Sequence, residues 1–85
     1  MRSMYQMKTV DGVICIMDLG GDKSATNDME DIVDDLGRAG IRLDGPVIYR
    51  DSDGIWDEVL VQNNTFRGFR SLNKHSEAEA VAAVK

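Results

Sequence analysis

The sequence predicts an α+β domain: about five strands in an antiparallel sheet, in the order ββα-βββ-α, with the main helix packed on one face. Three observations carry that expectation. Two apolar, strand-like segments meet at Asp11-Gly12, one long segment has a helical period, and three more strand-like segments follow with turn residues between them. A chain of 85 residues has room for a single domain over 1–85 and one small core.

The elements follow in order. Residues 4–10 and 13–18 read as a hairpin, because Asp11-Gly12 tolerates the positive φ angles of a two-residue turn. That turn sets Val10 opposite Val13, Thr9 opposite Ile14 and Met7 opposite Ile16. One face then carries Tyr5, Met7, Ile14 and Ile16, the other Val10, Val13, Cys15 and Met17. Both faces are apolar, so an interior strand covered on two sides is expected. Residues 27–39 form the main helix, with Met29, Ile32, Val33 and Leu36 on one stripe. Asn27 and Glu30 suit a capping box, Arg38 and Gly40 the far end, and Asp28, Glu30, Asp31, Asp34 and Asp35 an acidic outer face. Strands 46–51, 55–62 and 65–71 make a meander, and a short helix from Ser76 closes the chain. That helix is capped by Ser76 and Glu79 and packs through Ala78, Val81, Ala82 and Val84.

Composition narrows the function. A net charge of −5 repels a phosphate backbone, so no direct nucleic-acid partner is expected. The single cysteine, Cys15, lies in an apolar run and reads as a buried thiol. No run approaches membrane-spanning length, and the start MRSMYQMK lacks the apolar stretch of a secretory signal. A soluble, cytoplasmic protein with no membrane partner is the expectation.

The segment YRDSDGIWDE, residues 49–58, concentrates Asp51, Asp53, Asp57 and Glu58 and invites a metal. A calcium loop starting at Asp51 fails after Asp53, because Ile55, Trp56 and Gln62 occupy its fifth, sixth and twelfth positions. Ser52-Asp53-Gly54 fits a three-residue hairpin loop instead, with Gly54 left-handed. The loop sets Arg50 opposite Trp56 and Tyr49 opposite Asp57. Through an Asn63-Asn64 turn, Val61 then meets Phe66, Leu60 meets Arg67, Glu58 meets Phe69 and Asp57 meets Arg70. Tyr49, Asp57 and Arg70 are thus expected as a structural polar cluster on the core face. Arg50, Trp56, Leu60, Arg67 and Phe69 gather on the opposite face, mixing aromatics and arginine as interface centres do. Two covers for that face stay open: a second chain, or the C-terminal helix.

Other motifs carry less. A phosphate loop ending at Lys23-Ser24 needs glycine where Met17 and Asp22 stand. His75 precedes a helix cap with no nucleophile near it in sequence. Catalytic, cofactor-binding and metal residues are therefore assigned to none.

MDLGG after a strand, SATNDMEDIVDDL on the helix, the hairpin VIYRDSDGIWDEV and FRGF together resemble a family of small uncharacterised bacterial, phage and mobile-element proteins. The resemblance spans residues 8 to 71. It implies a cytoplasmic accessory protein and transfers no site residue. The first functional expectation is a small non-enzymatic interaction or assembly module, homodimeric through the Trp56 face. The alternatives are a ligand-binding protein or enzyme with a cleft at Asp57, Tyr49, Arg70 and Asp51, and an acidic nucleic-acid mimic built on the main helix.

Overall fold

The computed structural model describes residues 4–20 and 24–85. In chain order it holds β1 (Tyr5–Val10), β2 (Val13–Asp18), α1 (Ala25–Arg38), β3 (Val47–Arg50), β4 (Trp56–Gln62), β5 (Thr65–Lys74) and α2 (Glu77–Val84). The strands lie side by side in sequence order, β1-β2-β3-β4-β5. The expected α+β class, its five strands and the main helix on one face are all present. One pair differs from the antiparallel rule: β2 and β3 run parallel. A helix separates them, and crossing the sheet in α1 returns the chain to where β2 began.

Both hairpin registers set by turn chemistry are those expected. Asp11 and Gly12 have φ of 50° and 80°, and Val10 faces Val13, Thr9 Ile14 and Met7 Ile16. At the β3–β4 turn, Asp51 N–H donates to Ile55 O and Gly54 N–H to Asp51 O, both at 3.0 Å, with Gly54 at φ 82°. Asp51 Oδ1 accepts from the N–H groups of Asp53 and Ile55, so this carboxylate serves the turn.

The β4–β5 ladder departs from expectation after its first step. Asn63 and Asn64, at φ 53° and 56°, make the turn, and Val61 faces Phe66 as expected. A register shift then places Gly68 opposite Leu60, Phe69 opposite Val59 and Arg70 opposite Glu58. One extra residue in β5 moves every following side chain to the other face. Phe69 therefore leaves the Trp56 face and stacks on Tyr49, with ring centroids 5.6 Å apart.

The main helix starts earlier than the sequence suggests. Ser24, not Asn27, is its N-cap, accepting a hydrogen bond from Asn27 N–H at 3.3 Å. Asp28 consequently lies in the first turn, four residues before Ile32 on the apolar stripe. It is only 2% exposed, rather than part of the acidic outer face. The far end is closed by Gly40 at φ 78°: Gly40 N–H donates to Gly37 O and Ile41 N–H to Leu36 O.

Two cores result, one on each side of the sheet. Under α1, Met29, Ile32, Val33 and Leu36 meet Ile16, Val47, Tyr49 and Val59. Under α2, Ala80 and Val81 meet Val13, Cys15, Ile48 and Trp56. Ser76 caps α2 as expected, accepting from Glu79 N–H at 3.2 Å and donating to Glu79 Oε1 at 3.1 Å. Ala80 rather than Ala78 or Ala82 is its second buried residue.

Trp56 is 3% exposed beneath this helix, so its own chain covers it. Truncating it to alanine is expected to cost about 3–5 kcal/mol. Urea unfolding of Trp56→Ala should therefore show a lower midpoint, or a chain already unfolded in water.

Candidate functional site

Among the described residues, three places combine chemistry with position: the carboxyl ends of β2 and β3, the open part of the α2-side face, and the β1 edge. In open sheets with parallel strands, ligands sit beyond the carboxyl ends of those strands. Asp18 ends β2, Tyr49 lies near the end of β3, and Asp28 enters from the first turn of α1. Asp18 continues the α1-side row of Ile14 and Ile16, so the strand period itself points this carboxylate inward.

Tyr49 OH donates to Asp18 Oδ2 at 2.5 Å, and Gly20 N–H donates to Asp18 Oδ1 at 2.8 Å. Burial raises the Tyr49 phenol well above its ordinary value of 10. The hydrogen bond to Asp18 and its charge add to this, followed by the charges of Asp28 and Asp51. The phenol is thereby held as a proton donor and is unsuited to act as a base. Among the described residues, no buried side-chain nitrogen or oxygen lacks a hydrogen-bond partner, and no three acidic, histidine or cysteine side chains are grouped to hold a metal.

The polar cluster expected from sequence is not assembled. Tyr49 bonds to Asp18, while Asp57 Oδ1 accepts from Leu72 N–H at 2.9 Å and Asn73 N–H at 3.1 Å. Arg70 Nε bonds to Glu58 Oε1 at 2.5 Å. The cause is the same register shift, which carries Arg70 past Asp57 to face Glu58. Tyr49, Asp57 and Arg70 thus make no shared hydrogen bond among the described residues, and the partner Tyr49 does find, Asp18, escaped the sequence reading. The signal was its parity with Ile16.

The expected interaction surface is also redistributed. Trp56 is under α2, Phe69 is on the α1 side, and Arg50 is half-buried. Leu60 and Arg67 remain exposed and share a shallow groove of about 400 Å³ with Pro46, Glu58 and Gln62. The acidic helix face is shortened as well. Asp28 is buried, Asp35 accepts from Tyr5 OH at 2.7 Å, and Asp34 pairs with Arg38 at 2.9 Å. The loop weighed for phosphate includes residues 21–23, which lie outside the described residues.

At the β1 edge, Gln6, Met7, Lys8 and Thr9 are all exposed, and the helices reach the strand through Asp35 on Tyr5 and Glu77 on Lys8. Met4 and Met7 are 62% and 38% exposed, and Leu19, also exposed, donates its N–H to Met4 O at 2.9 Å. Three of the exposed large apolar side chains thus gather here, while Ile41 and Leu60 stand elsewhere.

No family model matches the chain, and no curated protein or solved structure shows a significant match to it.

The Asp18–Tyr49 bond makes a pH-dependent contribution. The folded-state phenol keeps its proton to higher pH than the unfolded one. Its share of stability is therefore complete below the ordinary value of 10 and is lost as pH rises above it. Tyr49→Phe should lose about 1–3 kcal/mol at neutral pH. Its stability should also fall less steeply than that of the wild type above pH ~10, as read by urea titrations across pH.

Proposed function

We propose that this chain is a small, non-enzymatic assembly module that works as a homodimer. One contrast carries the reading. Among the described residues, the buried polar groups are spent on internal hydrogen bonds, whereas Met4, Met7 and Leu19 stand exposed along a sheet edge that pairs with no further strand. A polar pocket built for chemistry keeps donors and acceptors for a substrate. An uncovered strand edge with apolar side chains offers a second protein both backbone and side-chain partners. The small cores of a chain this short also favour burying further surface in a partner.

The Trp56-centred surface has no part in this reading, because α2 occupies it. A ligand-binding or enzymatic role loses support because Arg70 is carried away to Glu58, while Tyr49 and Asp57, though opposite each other, spend their polar groups on Asp18 and on the β5 backbone. A nucleic-acid mimic loses Asp28 to the core and Asp34 and Asp35 to partners within the chain. A reducing cytoplasm is the setting we propose, and the buried free thiol of Cys15 supports it. An accessory role in a bacterial or mobile-element setting belongs to the same proposal. Light scattering at increasing concentration should give twice the mass of one chain. A constant single-chain mass at every concentration would remove the basis of the proposal.

A further inference from the structure

We infer that two copies of this chain join through antiparallel pairing of their β1 strands, with Met7 on the two-fold axis, fusing the two sheets into one. The inference rests on the homodimeric reading above and names its interface. Its basis is the direction of the β1 backbone groups. Leu19 N–H donates to Met4 O, and Val10 faces Val13 across the turn. In an antiparallel ladder the bonding residues alternate, so Met4, Gln6, Lys8 and Val10 face β2. The N–H and C=O groups of Tyr5, Met7 and Thr9 consequently point away from the sheet.

That outward set is self-complementary. Placing Met7 opposite the Met7 of the second copy sets Tyr5 opposite Thr9 and Thr9 opposite Tyr5. Every outward group of the three residues is then paired, each facing pair exchanging two hydrogen bonds. Among the described residues, no other antiparallel register uses all three. The side chains agree with the backbone. Met7 meets its counterpart on the α1 side, and Met4 meets Val10 on the other. Lys8 would guard such an edge, but it leans onto the α2 side, its Nζ 2.9 Å from Glu77 Oε2, and faces Gln6 of the second copy.

The opposite edge is unsuited to the same use. β5 carries two register shifts against β4, with Gly68 at φ 152° and Asn73 at φ 53° interrupting its line. Arg67 and Arg70 are exposed along it. Such bends and charges are the means by which sheet edges avoid pairing. β1 has an unbroken register with β2 from Tyr5 to Val10. One edge is closed to strand addition and the other is open.

The test uses the full chain and three variants. Met7→Pro removes an N–H that bonds to nothing among the described residues, so the sheet should survive while the dyad loses its central bonds. Light scattering should give a dimer for the wild type and a single chain for Met7→Pro, with both folded by circular dichroism. Should Met7→Pro fail to fold, Met7→Lys sets like charges on the axis and should give the same loss of mass. Under oxidation, Met7→Cys should cross-link, because facing residues lie ~5.5 Å apart at Cα, within disulfide reach. Thr9→Cys should not, being more than ~13 Å from its counterpart. Cys15 is buried and does not compete. A dimer that withstands both Met7 substitutions, or Thr9→Cys cross-linking as readily as Met7→Cys, overturns this interface and leaves the homodimer standing. A wild type that stays a single chain overturns both.

Discussion

The parallel pair β2–β3 is apolar on both faces, and the rest of the structure follows from the need to cover it twice. Ile16, Val47 and Tyr49 look toward α1, while Val13, Cys15 and Ile48 look toward α2. A sheet buried on both sides needs a layer on each. The chain supplies one helix between the two strands and a second after the last strand. The first is strongly amphipathic and well capped at both ends. The second is short and alanine-rich, which lets Ala80 and Val81 approach the sheet closely above Trp56. In a domain this small, the indole is a large part of what α2 has to pack on.

The same two-sided burial accounts for the polar groups. A carboxylate at the end of an inward-facing row has to be paired, because an isolated buried charge is costly. Asp18 is met by Tyr49 from the neighbouring strand and by the Gly20 N–H just beyond its own. Asp57 and Asn64 do comparable work at the other strands. Asp57 holds the backbone where β5 bends, and Asn64 ties the β4–β5 turn to the loop after α1 through Ile41 O and Leu43 N–H. Carboxylates and amides that look like chemistry in the sequence are joints of the frame. Of the two sheet edges, β5 is bent and charged while β1 is regular, and the proposed dimer follows from that imbalance.

Much of the fold was legible because local chemistry dictates it. Asp11-Gly12 and Ser52-Asp53-Gly54 each admit few backbone geometries, so two hairpin registers follow directly from the residues between the strands. The apolar stripe of α1 and the Ser76–Glu79 cap are equally local. Gly68 inside a strand is a common mark of a bulge, but it does not say which residue is left unpaired, so the β5 shift was not read. That single residue decided the fate of Phe69, Arg70 and Asp57, and with them the expected site. The start of α1 was misplaced for a related reason: Ser24 and Asn27 are both good caps, and residue preference alone does not rank them.

By itself, then, the sequence determined the elements, their turns, and the two apolar faces of β2, because each depends on neighbours a few residues apart. Only the tertiary structure decided the parallel β2–β3 pair, the partner of Tyr49, and the cover over Trp56. Those depend on residues that the chain brings together from opposite ends of the domain. Tyr49 stands opposite Asp57 in the register its turn dictates, yet its hydroxyl bonds to Asp18, and Trp56 fits under either α2 or a second chain. The choice belongs to the packing of the whole, in which α2 is tethered directly after β5 and reaches the indole at no cost in association entropy.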